Sequence, residues 1–180
     1  MKKKCDIDPF HEISCNCRDL IHDTATKGIK SVMVLRTSKG VAAVRNIIIN
    51  QLFAVLTTTN ANQPHCNLIA FVITDNLKTI VFATIRNTQK YINLVQNPLV
   101  SLLIDNRTNQ PSDISNASAV TVFGLASEVS DEKARYADQL IQRYPRLAEF
   151  IKQADTAIVT ISISHYLLSD FHNTKRIKVK

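Results

Sequence analysis

A mainly β chain with peripheral helices is predicted: six or seven strands in a closed or nearly closed antiparallel barrel. Three observations predict it. Short segments rich in β-branched and apolar residues recur along the chain, bounded by turn residues. The early ones are joined by connections of hairpin length. Helical patterns are inserted between the later ones. At 180 residues, 45% of them apolar, the chain is long enough for one ordinary domain with a core.

Taken in order, Ser31 to Leu35 is an apolar patch that reads as a short strand or packing segment, and Gly40 is expected to break the chain. Val41 to Gln51 reads as a helix, because Val41, Val44 and Ile48 fall at i, i+3 and i+7 and Ile47 widens the stripe. Leu52 to Thr59 follows as a strand, Asn60 to Pro64 as a turn, and His65 to Thr74 as a second extended stretch. After a turn at Asp75-Asn76, Lys78 to Thr84 is a third strand; the three are expected to form a meander. A helix comes next, capped by Asn87 or Thr88, with Tyr91, Leu94 and Val95 on its apolar face. Asn97-Pro98 ends it, since the residue before proline avoids the helical region.

Leu99 to Ile104 is a fourth strand, Asp105 to Asn116 a long polar loop, and Ala117 to Val129 a fifth strand interrupted at Gly124. Asp131 to Arg143 reads as a helix capped by Ser130, with further turns running to Ile151 beyond Tyr144-Pro145. Asp155 to Ile163 alternates cleanly, Ile158, Thr160 and Ser162 against Val159, Ile161 and Ile163, and is a sixth strand. Tyr166 to Phe171 is a seventh. The organisation is therefore an N-terminal extension over 1–40, a barrel domain over 41–172 and a basic tail over 173–180.

Charge and composition exclude several function classes. The 22 basic and 15 acidic residues give +7, and Lys2, Lys3, Lys4, Lys175, Arg176, Lys178 and Lys180 carry the whole excess. A nucleic-acid binder carries its surplus on the folded surface, so no nucleic-acid partner is expected. No apolar run approaches membrane-spanning length. Met-Lys-Lys-Lys is followed by Cys5, Asp6 and Asp8 instead of an apolar stretch, so a cytoplasmic protein is expected. Gly28, Gly40 and Gly124 are the three glycines, which excludes glycine-clustered dinucleotide and phosphate loops. Of the four cysteines, Cys5, Cys15 and Cys17 lie in the N-terminal extension with His11 and His22. That set lacks a C-x-x-C pair and a second pair to complete four zinc ligands, so no metal is assigned and the thiols read as reduced.

The segment with chemistry is Val81 to Lys90. A strand ends, a polar turn presents Thr84, Arg86 and Thr88, and a helix opens with Lys90 in its first turn. A helix start offers free N–H groups and a positive dipole end, two cations and two hydroxyls lie beside it, and together these suit a phosphate. The same residues also fit an ordinary capped helix with two solvated cations.

Over about residues 41–172 the chain resembles the pyridoxamine 5′-phosphate oxidase-like family of flavin-binding split barrels. Val55 to Thr59 with Gln63-Pro64-His65 is similar to the family's opening strand and turn. Asn67, Leu68, Ile69 and Ala70 sit where the family lays a strand along the flavin ring. Ala83-Thr84 and Thr88-Gln89-Lys90 sit where it grips the mononucleotide phosphate, and Leu94 to Ile104 with Asn97-Pro98 is typical of it. Asp105 to Asn109 resembles a subgroup whose substrate is often unassigned.

The resemblance implies a split barrel of six or seven strands and FMN as cofactor. It implies a homodimer whose two chains jointly build each flavin site, with the 105–116 loop near the interface. The expected activity is an FMN-dependent oxidoreductase acting on a small molecule, with a reduced nicotinamide as electron donor and no assigned catalytic side chain. Three departures qualify it. Gln89 replaces a usual basic residue, with Arg86 placed to compensate; Asn67 replaces a common arginine; and no Trp is present to build the C-terminal vitamer-binding segment, so vitamin B6 oxidation is not expected. The alternative is a flavin- or haem-binding module without catalysis, with His65, His165 and His172 as candidate iron ligands. A deazaflavin would ask for more cations than this clamp offers.

Overall fold

The computed structural model describes residues 33–35 and 38–178. The cysteine and histidine set of the N-terminal extension lies outside the described residues. The elements are β1 (Met33–Leu35), α1 (Ser38–Asn50), β2 (Phe53–Asn60), β3 (Gln63–Ala70), β4 (Val72–Ile73), β5 (Thr79–Ile85) and α2 (Gln89–Gln96). There follow β6 (Leu99–Asp105), α3 (Asp113–Asn116), β7 (Ala119–Glu128), α4 (Lys133–Arg143), a 3-10 turn (Pro145–Leu147), α5 (Ala148–Lys152), β8 (Thr156–Ser169) and β9 (Thr174–Lys178).

The strands form one curled sheet, ordered β3-β2-β6-β7-β8, with β9 and β5 both on β8. Residues 156–162 of β8 pair with β5, and residues 165–169 pair with β9. All ladders are antiparallel except the short β1–β9 pairing. The seven strands β2 to β8 make the expected split barrel. Their inward residues, among them Leu56, Phe82, Leu102, Ile104, Val122 and Ile161, form the main core with Val44, Ile47 and Ile48 of α1. A second cluster, Val72, Val81 and Ile158 with Tyr136, Leu140 and Ile151, packs α4 and α5 on the outside of β4, β5 and β8.

The first three strands are not a meander. β2 and β3 make a hairpin through a two-residue turn, Ala61 and Asn62, both at positive φ. β4 and β5 make another, but β5 pairs onward with β8, not with β3. The chain changes partners at Phe71, whose side chain is buried. The Tyr144 hydroxyl accepts the Phe71 N–H at 3.3 Å and lies 2.6 Å from the Leu52 carbonyl and 2.7 Å from that of Phe71. Arg143 donates to the carbonyls of Ile49 and Gln51 at 3.0 and 2.9 Å. The C-terminus of α4 thereby holds both the α1–β2 connection and the β3–β4 crossing.

Smaller corrections have local causes. Gly40 does not break the chain; it is buried within α1. Val41 and Val95 are exposed, and the helix α2 buries Asn93 in place of Val95. Ser130 does not cap α4, which begins after Glu132. The two final strands of the sequence reading are one strand, β8, with a register shift opposite Phe123 and Gly124. Residues assigned to the basic tail form β9, where Ile177 is buried and Lys178 is exposed. Among the described residues no helix is long and apolar enough to cross a membrane.

Gly124 marks a close approach of β7 to β8. A Cβ there would stand 2.5 Å from the Ser162 carbonyl oxygen and 2.7 Å from Ile161 Cγ2. Gly124→Ala is expected to destabilise the fold by about 1–3 kcal/mol through overpacking. Urea denaturation of the two proteins checks this; an unchanged midpoint contradicts it.

Candidate functional site

The change of partners at Phe71 leaves β3 paired to β2 along one edge and to no described strand along the other. An unpaired edge presents backbone N–H and C=O groups to whatever lies beside it. A cavity of about 190 Å³ lies beside this one, lined by Leu68, Ile69 and Ala70 of β3, Ala83 of β5 and Lys90 of α2. Its far wall is apolar: Leu140, Leu147, Phe150 and Ile151 from α4, the 3-10 turn and α5. Five of the ten residues expected from the sequence, 68–70, 83 and 90, thus meet around one space.

Four of the other five expected residues build the junction between β5 and α2. Thr88 caps α2: its hydroxyl oxygen accepts the Tyr91 N–H at 3.4 Å and its O–H donates to the Ile85 carbonyl at 2.8 Å. Buried Thr84 shares a hydrogen bond with Thr88 at 3.2 Å. The Gln89 amide donates to Asn93 at 2.7 Å, and buried Asn93 donates to buried Thr58 at 3.0 Å. Arg86 donates to the Ala154 carbonyl at 3.0 Å and pairs with Glu128. Asn67 stands opposite Leu56 on β3, and its side chain is partly exposed.

The first intrahelical bond of α2 runs from the Ile92 N–H to the Thr88 carbonyl at 3.0 Å, so the N–H groups of Gln89 and Lys90 precede it. Burial holds the Lys90 ammonium below the ordinary lysine value. Among the described residues no carboxylate pairs with it, and it lines the cavity. A half-buried cation beside a helix start suits an anion by its charge.

The histidines are dispersed. His65 stands opposite buried Thr58, and Cys66 opposite Thr57, so the two side chains face opposite sides of β3. His165 stacks on Phe123 with ring centroids 4.7 Å apart, and its Nδ1 lies 3.0 Å from the Ser164 hydroxyl. The ladder places His165 in one row with Phe123, Ser101, Thr57 and Cys66. That row is the face opposite to His65. His172 lies in the β8–β9 turn. His65 and His165 therefore cannot ligate one iron within a single chain. No group of three metal-ligating side chains occurs among the described residues.

A second cavity, of about 390 Å³, lies where the 106–118 connection meets the β8–β9 turn, between Leu103, Arg107, Asp113 and Phe171. The Asp113 carboxylate accepts the N–H groups of Thr108, Asn109 and Gln110 and the Thr108 hydroxyl, which lowers its pKa and shapes the loop. The sequence reading missed the apolar wall from 140 to 151. Its signal, an apolar stripe continuing across the Tyr144-Pro145 break, was present but not tied to any site.

Because burial lowers the Lys90 pKa, the unfolded chain holds that proton more tightly in the window below 10.5. The charge therefore weakens the fold at neutral pH, and this cost fades as pH rises through the window. Lys90→Met keeps the stem and removes the charge. It is expected to be more stable than the parent at pH 7, with the gap closing toward pH 10. Urea denaturation across that range checks it, and a variant no more stable at pH 7 contradicts it.

The family model for pyridoxamine 5′-phosphate oxidase matches residues 41–167. No curated protein matches the chain. Among solved structures, a haem-binding protein from Mycobacterium smegmatis shares 16% identity at a TM-score of 0.69, covering 81% of this chain and 60% of its own. The haem storage protein HutZ from Vibrio cholerae shares 16% at 0.60, covering 68% and 88%. A Clostridium acetobutylicum protein related to general stress protein 26, of the pyridoxine phosphate oxidase family, shares 14% at 0.60, covering 78% and 95%. Likeness at this identity is likeness of fold. With the family model spanning most of the barrel and the split-barrel fold in place, the chain belongs to the pyridoxamine 5′-phosphate oxidase family.

Proposed function

We propose that the chain binds FMN at the split of its barrel and works as an oxidoreductase on a small molecule, with a reduced nicotinamide as electron donor. The observation that carries this reading is the single cavity shared by Lys90, Ala83 and the open edge of β3. Lys90 and the leading N–H groups of α2 would hold the phosphate. Backbone groups of Asn67 to Ala70 would hydrogen-bond the ring edge, and Ala83, with no bulk beyond Cβ, leaves room beside it. Leu140, Leu147, Phe150 and Ile151 would keep water from that side. FMN, when bound, supplies hydride and single-electron transfer; the protein's part is binding, orientation and access. Pyridoxamine phosphate oxidation is not assigned, since the chain has no Trp.

Two fold relatives, a haem-binding protein and a haem storage protein, favour a second reading, a haem-binding module. The opposite faces of His65 and His165 weigh against it within one chain. The absorbance spectrum of the purified and FMN-reconstituted protein separates the two. A bound-flavin spectrum bleached anaerobically by NADH or NADPH is expected. Lys90→Ala is expected to weaken FMN roughly ten-fold, the loss of one charged hydrogen bond. A haem spectrum with no FMN binding, or unchanged FMN affinity in the variant, contradicts the proposal.

At about 190 Å³ the cavity is smaller than the ~300–1,000 Å³ that encloses a small-molecule ligand. A second copy of the chain is proposed to complete the enclosure. The outer face of the sheet is apolar where β3, β2 and β6 align: Leu68, Val55 and Leu103 lie in one row, and Phe53 is next to it. Leu68 is 68% exposed and Phe53 52%. Such a row, left to solvent, supports the proposal of an interface there. Light scattering is expected to find a dimer for the parent and a monomer with weakened FMN for the Phe53→Glu/Leu103→Glu variant. A monomeric parent with full FMN affinity contradicts this.

A further inference from the structure

An ionic cluster lies beside α2, apart from the cavity. Glu128, the last residue of β7, pairs with the Arg86 guanidinium through Nη2, with Nε 3.4 Å from its other oxygen. The Tyr91 hydroxyl donates to the same carboxylate. Arg86 also reaches the Ala154 carbonyl through Nη1 at 3.0 Å, and its backbone N–H donates to the Asp155 backbone carbonyl at 3.0 Å. Four segments therefore meet here: the end of β5, the first turn of α2, the end of β7 and the chain entering β8. None of these three side chains lines the Lys90 cavity; Tyr91 and Glu128 face a separate recess with Leu94, Val95 and Pro98.

Lys90 and Tyr91 are successive residues on α2, so their side chains leave the axis about 100° apart. Whatever fixes the direction of Tyr91 fixes the direction of Lys90. α2 has eight residues; buried Asn93 and Leu94 hold its inner side, and the Tyr91 hydroxyl adds a polar anchor toward the end of β7. Each partner's ionisation is biased toward the charged pair: Glu128 is held below the usual carboxylate range by the Arg86 hydrogen bond, and Arg86 is raised by that of Glu128. The cluster persists as an ion pair at neutral pH. It also neutralises Arg86, leaving Lys90 as the cation that lines the site.

We infer that Glu128 is a positioning residue for the anion site: by holding Arg86 and Tyr91 it sets the rotation of α2 that turns Lys90 into the cavity. Arg86 acts through this anchor and does not itself touch the anion. The inference rests on reading the split as an anion-anchored cofactor site.

The test uses the full chain, with FMN and riboflavin as probes. Glu128→Ala is expected to weaken FMN roughly ten-fold, a lost charged contact at Lys90, while riboflavin, lacking the phosphate, changes by less than about two-fold. Glu128→Gln, which keeps an acceptor for Tyr91, is expected to recover part of the loss. In a Lys90→Ala background Glu128→Ala is expected to have no further effect on FMN, the coupling of residues acting through one another. Tyr91→Phe, which removes only the hydroxyl, gives a smaller loss with the same phosphate dependence and covers the case in which Glu128→Ala fails to fold. Tighter FMN binding in Glu128→Ala overturns the inference, because it means the freed Arg86 reaches the phosphate. Equal losses of FMN and riboflavin, or losses additive with Lys90→Ala, also overturn it.

A second readout needs no flavin. NMR titration of the Lys90 side chain is expected to give a value below ordinary lysine in the parent and closer to it in Glu128→Ala or Tyr91→Phe. An unchanged Lys90 titration in these variants overturns the inference. If the parent binds neither flavin, the reading of the site fails, and the Lys90 titration still decides whether Glu128 positions it.

Discussion

Strand β3 is hydrogen-bonded to β2 along one edge and to no described strand along the other, and the barrel is split there because of it. The cause is the chain's course at Phe71. Its buried ring and the Tyr144 hydroxyl on its backbone hold a sharp departure from the β3 line, so β4 and β5 continue on β8 instead. An open edge is costly if left bare, because its polar backbone needs partners. Here the apolar wall of α4 and α5 approaches it without filling the gap. The space that remains is bounded by backbone polarity on one side, hydrocarbon on another, and one ammonium at its end.

The electrostatics of the junction are economical. Three groups could carry positive charge or polar donation toward an anion: Arg86, Gln89 and Lys90. Two are spent inside the protein, Arg86 on Glu128 and Gln89 on Asn93. The third is partly withdrawn from water without a counter-charge, and its lowered pKa is the signature of that cost. Binding an anion would offset it. The hydroxyls of Thr84 and Thr88 are likewise directed at the junction itself, which makes the helix start rigid. Among the described residues that line the cavity, Lys90 is the one cation.

Much of this was legible in the residues. Alternation in β2 and β8, the stripe of α1 and the Thr88 cap fix those elements locally, so pattern alone finds them. Lys90 was legible as a cation beside a helix start because the strand-to-helix handover is local too, whereas Ala83 and residues 68–70 were expected from the family resemblance and meet Lys90 around one cavity. What escaped depended on distant partners. Pro64 reads as a turn residue, yet it fits within β3 because an edge strand tolerates a missing N–H. Asn93 is buried by its bonds to Gln89 and Thr58, which no hydrophobic period reveals. The charged run 174–178 reads as a tail, although one buried Ile177 with charged neighbours is how an exposed strand is made safe. Arg86 pairs with Glu128, 42 positions later, a partner that no local pattern reveals.

The account stands on the anion being received by Lys90 at the split. A crystal structure of the full chain grown with FMN measures that most directly. It should place the phosphate within hydrogen-bond distance of the Lys90 ammonium and of the first N–H groups of α2, with the ring along the open edge of β3 and the Arg86–Glu128 pair intact. A flavin found elsewhere, or a phosphate bound by Arg86 with Lys90 turned to solvent, would contradict it.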